Sequence, residues 1–161
     1  MIRRCFIALL ACGISGAYTY AQGGAPAIPA PVDLQRDGAQ SRREGKPVVI
    51  LFSLPGCAFC QVVRQNYLLP LLRDSTQKER PIIREIDITS TKSLVGFHGE
   101  QASHQSIAKE LHIRFAPTVV FLDASGRLLT QPIIGGDTAG LYGGYLENAF
   151  DESAKKLGFA Q

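Results

Sequence analysis

The stretch that decides the fold is Val48-Val49-Ile50-Leu51-Phe52-Ser53-Leu54-Pro55-Gly56-Cys57-Ala58-Phe59-Cys60. Its first five residues are apolar and rich in β-branched side chains, a pattern that predicts a strand buried on both faces at the centre of a sheet. The next three residues, Leu54-Pro55-Gly56, predict a turn. A helix is then expected from Cys57 toward Leu72. Pro70 should kink or split that helix, because proline lacks a backbone N–H and clashes with the preceding helical turn.

Cys57 and Cys60 are thiols three residues apart at the predicted start of this helix. A thiolate is the nucleophile in disulfide exchange, and a helix N-terminus lowers the pKa of a cysteine from about 8.5 to roughly 3.5–7.5. Cys57 would face the unpaired N–H groups of the first turn, so we expect it to attack the substrate. Cys60 lies almost one turn on and is expected to resolve the mixed disulfide. A structural disulfide is the plain alternative, but closing so short a loop stabilises a fold little.

The rest of the chain predicts alternating helices and strands. The expected elements are a helix over 33–43 capped by Asp33, a strand over 81–88, a loop insertion over 89–101 and a helix over 103–112. A strand over 118–122, a turn over 123–126 and a returning strand over 127–130 follow. A last helix is expected to be capped by Asp137 or Thr138, to end at Gly158 and to have an apolar face of Leu141, Tyr145, Ala149 and Phe150. A parallel βαβ unit followed by a hairpin and a helix predicts an α/β fold with a mixed central sheet and helices on both faces. His104 and His112 are expected on helix surfaces.

The N-terminal residues have the pattern of a signal peptide, residues 1–21. Arg3 and Arg4 precede an apolar run over 5–14 and small residues that permit cleavage after Ala21. The run is shorter than the about 20 residues that a membrane-spanning helix needs. The alternative is a lipoprotein processing site that leaves Cys12 lipidated.

Export would leave Cys57 and Cys60 as the sole thiols, because Cys5 and Cys12 depart with the signal peptide. Residues 22–32, rich in Pro, Gly and Ala, predict a flexible linker, and residues 33–161 then form one domain. An exported chain whose sole cysteines form one close pair differs from disulfide-scaffolded modules, which carry more pairs at wider spacing.

Charge indicates no nucleic-acid or membrane-surface partner. The full chain has 17 Lys and Arg against 14 Asp and Glu, and removing Arg3 and Arg4 with the signal peptide leaves the two signs nearly balanced. The basic residues are scattered rather than gathered into a patch.

The order of elements, with the cysteine pair at the start of the helix after the central strand, resembles the thioredoxin fold. Arg114-Phe115-Ala116-Pro117-Thr118 resembles the cis-proline loop of that superfamily, and Gly135 matches the glycine in its following loop. The resemblance covers about residues 34–157 and is nearest to exported thioredoxin-like proteins of bacteria. It places a loop and helix insertion before the strand that follows Pro117.

The resemblance implies a substrate site around the cysteine pair. It implies that Pro117 is cis and faces the thiols, and that the Ala116 backbone binds an extended substrate segment in the manner of a strand. Phe59, with Leu54, Pro55 and Ile134, is expected to form an apolar rim.

Three departures from thioredoxins lie near the pair. Gly56 stands where thioredoxins have Trp, Ala58-Phe59 stands for Gly-Pro, and Leu51 occupies the position of a buried Asp. Glu85 on the next strand is a candidate to replace that acid if its side chain points inward. Because Ala58 and Phe59 offer neither charge nor donor, we expect a weakly oxidising or reducing potential.

These observations predict a periplasmic thiol–disulfide oxidoreductase that reduces or exchanges disulfides in cysteine-containing exported proteins through Cys57 and Cys60. A membrane thiol electron donor, a monomeric state and no cofactor or bound metal are expected. The alternative is a copper or other metal carrier that uses the same cysteines, with His98 in the insertion as a further ligand.

Overall fold

The computed structural model describes residues 27–73 and 81–158. Its helices are α1 (Leu34–Glu44), α2 (Ala58–Val63), α3 (Leu69–Arg73), α4 (His104–Glu110) and α5 (Tyr142–Leu157), and a π-helical turn, Arg64–Leu68, joins α2 to α3. Its strands are β1 (Val48–Ser53), β2 (Ile82–Asp87), β3 (Ser93–Val95), β4 (Gln101–Ser103), β5 (Thr118–Leu122) and β6 (Ile133–Ile134). The predicted signal peptide, with Cys5 and Cys12, lies outside the described residues.

Four strands form one mixed sheet in the order β2-β1-β5-β6. β1 runs parallel to β2 and antiparallel to β5, and β6 pairs antiparallel with β5. All six residues of β1 are buried, as the continuous apolar run predicts. The mixed sheet with helices on both faces confirms the predicted fold class.

Side chains alternate along β1, so the sheet has a core on each face. One core lies against α2, α3 and α5, and the other lies against α1 and α4. The first contains Val49, Leu51, Val63, Leu68, Ile83, Val119, Phe121, Tyr142 and Leu146, and the second contains Leu34, Val48, Ile50, Phe52, Ile86, Leu94, Ile107 and Val120. β1 is therefore held from both sides, which fixes the position of the turn that follows it.

α1 begins and ends where the sequence predicts. The Asp33 carboxylate accepts a hydrogen bond from the Arg36 N–H at 2.8 Å, which caps the first turn. Gly45, with φ of 65°, ends the helix in the left-handed conformation that favours glycine.

Residues 89–101, predicted as a loop insertion, contain most of a small antiparallel hairpin. Leu94 of β3 pairs with Ala102 of β4, and Gly99 in the turn has φ of 85°. Leu94 is buried in the core on the α1 side of the sheet. The prediction was wrong because one buried leucine among polar residues gives no alternating pattern.

The returning strand predicted over 127–130 is displaced along the chain. The turn over 123–126 forms, because the Asp123 carboxylate accepts from the backbone N–H groups of Ser125 and Arg127 at 2.8 and 3.0 Å. After the turn, Leu128 makes an isolated bridge to Leu122, and the strand that pairs with β5 is β6, which begins five residues after Leu128. Side-chain capture by Asp123 favours a turn over an immediate ladder.

The last helix starts later than predicted, and its buried face is rotated. The helix begins at Tyr142, its N-cap residue is Leu141, which makes no side-chain cap, and Asp137 accepts a hydrogen bond from the Tyr67 hydroxyl. The predicted face contained Leu141 and Tyr145, but both are exposed. The buried residues are Tyr142, Leu146, Ala149 and Ser153. Gly158, with φ of 79°, ends the helix as predicted.

The described part of the predicted linker packs against the domain. Ile28 is buried in the core beside α5, and the Pro29 carbonyl accepts from the Glu85 N–H at 3.1 Å. The packed part of the chain therefore starts ahead of Asp33 in the structure. None of the helices within 27–73 and 81–158 has the length and apolar character needed to cross a membrane.

His104 was predicted on a helix surface and is buried instead. It is the first residue of α4, is 4% exposed, and neither of its ring nitrogens has a hydrogen-bond partner. The hairpin covers it, since the His104 N–H donates to the Lys92 carbonyl at 3.1 Å. His112, by contrast, is exposed as predicted, but it lies in the turn after α4 and not on the helix.

Candidate active site

The site is built on a Cys57–Cys60 disulfide at the start of α2. Cys57 is the N-cap residue, and its Sγ accepts a hydrogen bond from the Cys60 N–H at 3.1 Å. Cys57 is partly exposed, whereas Cys60 is fully buried. Of the two cysteines, Cys57 is therefore the one that an incoming group can approach.

The turn before Cys57 directs it out of the protein. Gly56 has φ of 70°, a conformation that disfavours side chains, and no atom lies where its Cβ would be. Cys57 itself is extended, and its carbonyl accepts the first helical hydrogen bond from the Gln61 N–H at 3.1 Å. The backbone thus changes from β1 to α2 within three residues.

The predicted break near Pro70 takes the form of a π-helical turn. The Leu69 N–H donates to the Arg64 carbonyl five residues earlier, and α3 begins there. Pro70 cannot donate to the carbonyl four residues before it, so the regular ladder ends in this region. Tyr67 in the π turn donates its hydroxyl to Asp137 in the segment before α5.

The Tyr67–Asp137 hydrogen bond ties the active-site helix to the segment that follows β6. This bond lowers the pKa of Asp137 from the usual value of an aspartate and raises the pKa of Tyr67 from the usual value of a tyrosine. The Tyr67 ring also packs on Tyr142, with centroids 5.0 Å apart, and burial raises the pKa of Tyr142. No local sequence pattern indicates this contact, because its partners lie 70 residues apart.

Strand pairing brings the Pro117 loop to the same edge of the sheet as the disulfide. Phe52 near the end of β1 pairs with Thr118 at the start of β5, and Thr118 pairs with Ile134 of β6. The Ala116–Pro117 peptide bond is cis. Two hydrogen bonds of 2.8 Å hold the loop, from the Thr118 hydroxyl to the Phe115 carbonyl and from the Gly135 N–H to the Pro117 carbonyl.

Apolar side chains are exposed around this edge. Phe59 is 54% exposed, Ile134 63% and Phe115 65%. The Phe59 ring lies against Gly136, which follows β6, since a Cβ on Gly136 would come within 2.7 Å of that ring. The structure therefore brings together Phe59 and Ile134 of the predicted rim and adds Phe115, which the sequence analysis left out although it precedes Ala116.

Glu85 points to the active-site side of the sheet. It pairs in register with Leu51, and Ile83 two residues earlier lies in the core below α2. Its carboxylate accepts two hydrogen bonds from the Arg64 guanidinium, one of them from Nε at 2.8 Å. This bond to Glu85 raises the pKa of Arg64. The acid is thus inward, but it is paired with a cation that the sequence analysis did not single out.

Within the described residues, no three His, Cys, Asp or Glu side chains lie close enough together to hold a metal ion. His98, the ligand invoked for a copper carrier, is exposed in the hairpin turn, where its N–H donates to Glu100 at 2.9 Å.

Comparisons with known proteins place the chain in a family. The profile of the thioredoxin-like domain matches residues 34–148. A search of curated proteins finds no match.

Solved structures with a similar fold are distant in sequence. A thioredoxin-fold protein from Helicobacter pylori has 18% identity and a TM-score of 0.49, covering 70% of this chain and 80% of that one. Mitochondrial thioredoxin 3 from Saccharomyces cerevisiae has 20% identity and a TM-score of 0.48, covering 76% and 92%. The oxidised C-terminal domain of DsbD from Neisseria meningitidis has 22% identity and a TM-score of 0.48, covering 74% and 98%.

The matched profile spans most of the chain and includes both cysteines and the Pro117 loop. The disulfide at the start of α2 is the functional feature of such a domain. The chain belongs to the thioredoxin-like domain family, as a thiol–disulfide oxidoreductase.

Proposed function

We propose that this protein is a periplasmic reductase of disulfides in exported proteins. The observation that carries the proposal is the unequal exposure of the two cysteines, with Cys57 partly exposed at the N-cap of α2 and Cys60 buried. In the reduced protein this arrangement leaves one thiol to attack and one to resolve.

The exchange proceeds in two balanced steps. The Cys57 thiolate attacks one sulfur of the substrate disulfide, forming a mixed disulfide and expelling the other substrate sulfur as a thiolate, which takes up a proton. Cys60 then loses its proton and attacks the Cys57 Sγ, which re-forms the internal disulfide and releases the second substrate thiol. Two electrons pass from the protein to the substrate.

The Cys60 N–H supports the first step. It lies 3.1 Å from the Cys57 Sγ, where it donates to the sulfur and stabilises a thiolate. The end of α2 nearest Cys57 adds the positive partial charge of a helix N-terminus.

The exposed apolar side chains fit protein substrates better than small thiols. Phe59, Phe115 and Ile134 are each more than half exposed around the disulfide. Exposed aromatic and aliphatic groups next to a reactive sulfur contact an unfolded or extended segment. The backbone of Ala116 in the cis-proline loop is the candidate to pair with that segment.

The reducing direction rests on the residues between the cysteines. Neither Ala58 nor Phe59 can donate a hydrogen bond or place a positive side-chain charge near the Cys57 thiolate. With less stabilisation of the reduced form, the dithiol gives up electrons more readily. A reductase in the periplasm must be re-reduced, and we propose a dithiol protein of the membrane as the donor.

The test is reduction of insulin by the purified protein in dithiothreitol, together with its equilibrium with glutathione. We expect the protein to reduce insulin and the Cys57→Ser variant to be inactive. We also expect a redox potential well below about −120 mV, which is the potential of the strongest oxidants of this kind. A potential close to that value would contradict the reducing direction. Absence of insulin reduction, with both thiols free at the start, would contradict the activity.

A further inference from the structure

The Arg64–Glu85 ion pair lies beside the disulfide and has no role in the exchange steps above. Arg64 lines the shallow depression formed by Leu54, Pro55, Gly56, Cys57, Ala58 and Gln61. The side chains of Arg64 and Glu85 are only 19% and 15% exposed. Their charges are therefore screened less by solvent than those of a surface pair.

Arg64 is placed to act on Cys57 by helix geometry. Residues seven apart lie on the same face of a helix, about two turns from each other. Long side chains on a helix also lean toward its N-terminus, which here is the end that carries Cys57. Arg64 Nη1 lies 3.4 Å from the Gln61 Oε1, one turn nearer to Cys57, so the guanidinium does extend in that direction.

Glu85 comes from the opposite side, on the sheet beneath the helix. It lies across from Leu51, at the level of the β1 residue six positions before Cys57. Both of its carboxylate oxygens accept from Arg64. The pair therefore brings one charge of each sign to the base of the site.

We propose that the Arg64–Glu85 ion pair sets the redox potential of the Cys57–Cys60 disulfide, with Glu85 cancelling a positive field that Arg64 otherwise exerts on the Cys57 thiolate. This inference rests on the proposed function. Arg64 and Glu85 act only through Cys57, so they are positioning residues rather than catalytic ones. The cancellation keeps the thiolate from being over-stabilised and so keeps the dithiol reducing.

The two single substitutions should move the potential in opposite directions. Glu85→Gln leaves the guanidinium unpaired near Cys57, stabilises the thiolate and favours the dithiol. Arg64→Met leaves the carboxylate unpaired, destabilises the thiolate and favours the disulfide. The double variant Arg64→Met with Glu85→Gln removes both charges and should lie between them, near the wild-type protein. If the pair had only a structural role, both single variants would lose stability, but their redox potentials would not shift in opposite directions.

A second ion pair in the protein offers a matched control. Arg84 and Asp37 form a similarly enclosed pair, with side chains 23% and 7% exposed. Arg84 directly precedes Glu85, so its side chain lies on the opposite face of the sheet, toward α1. Asp37→Asn should lower stability and leave the potential of the disulfide unchanged.

The experiment is equilibration of each variant with glutathione, in which two glutathione molecules are oxidised for each protein disulfide reduced. We expect the equilibrium for Glu85→Gln to shift about tenfold toward the dithiol, which is about 30 mV for a two-electron couple. The equilibrium for Arg64→Met should shift several-fold toward the disulfide. The ultraviolet absorbance of the thiolate, followed against pH, should show a lower Cys57 pKa in Glu85→Gln and a higher one in Arg64→Met.

Equal potentials in the wild-type protein and both single variants would overturn the inference, as would shifts of the same sign. If Glu85→Gln or Arg64→Met does not fold, Glu85→Leu or Arg64→Gln takes its place, and the potential should shift in the same direction as in the variant that it replaces. A wild-type protein that never equilibrates with glutathione would instead contradict the proposed function.

Discussion

His104 is a buried titratable side chain that the exchange reaction does not use. Burial lowers its pKa, the cation of Lys92 lowers it further, and Asp87 partly opposes both. Its two ring nitrogens are buried without partners, so a proton on the ring would be costly. The folded protein therefore binds a proton on His104 less readily than the unfolded chain does.

The folding stability that depends on His104 should be lost on acidification. Because the folded-state pKa is below the unfolded value of about 6.5, the contribution is complete above that pH and decreases as pH falls toward the folded pKa. Each unit of pKa difference is worth about 1.4 kcal/mol. Urea unfolding between pH 7 and 5 should show a smaller loss of stability in His104→Leu than in the wild-type protein.

His98 supplies the control for that measurement, because it is exposed in the hairpin turn. His98→Asn should keep the wild-type dependence of stability on pH. If stability falls equally with pH in the wild-type protein and in His104→Leu, a group other than His104 causes the loss of stability. Apolar replacement of the buried ring need not lower stability at neutral pH, since the ring makes no hydrogen bonds there.

Single residues differ in how far sequence alone could assign them. Cys57 and Cys60 could be assigned because their chemistry depends on local spacing and on the helix that begins there. Arg64 and Glu85 could not be paired, because their contact depends on which residue of β2 faces Leu51. His104 was misplaced for a related reason, since the hairpin that covers it was not predicted.

α1 approaches the turn after β5 closely at Gly38. A Cβ at this position would lie 2.3 Å from the Ala124 carbonyl oxygen. The turn cannot easily move away, because Asp123 binds the backbone of Ser125 and Arg127. This close packing explains why a glycine stands in the middle of α1.

Gly38→Ala should destabilise the protein. Alanine favours a helix over glycine by about 1 kcal/mol, but overpacking of this kind typically costs about 1–3 kcal/mol. We expect the midpoint of urea unfolding to fall. Gly144→Ala in the first turn of α5 is the matched control, since nothing lies within 4 Å of its Cβ position. That variant should gain stability, and a gain in Gly38→Ala as well would contradict the close packing.

Elements with strong local signals could be predicted, and those that depend on distant contacts could not. α1 has a capping aspartate and a terminal glycine, and β1 has an uninterrupted apolar run. β6 and the start of α5 depend instead on where Asp123 and Asp137 find their partners. The predicted positions of both were off by several residues for that reason.

The whole molecule could be predicted at the level of its layers. A strand buried on both faces requires helices on both sides, and the order of elements then permits few topologies. In the surface around the disulfide, Phe59 and Ile134 were predicted through the resemblance to thioredoxins, whereas Phe115, which comes from a third segment, was not. That surface is made by strand order, and we propose that it selects the proteins that reach Cys57.

The most direct test of thiol exchange is to trap the mixed disulfide. In the full-length protein expressed in its native host, Cys60→Ser removes the resolving thiol and leaves Cys57 accessible at the N-cap of α2. Complexes that disappear on reduction should accumulate in this variant, and mass spectrometry should identify Cys57 as the linked residue. Cys57→Ser should trap far less, because Cys60 is buried. Equal trapping by both variants, or none by Cys60→Ser, would contradict the account.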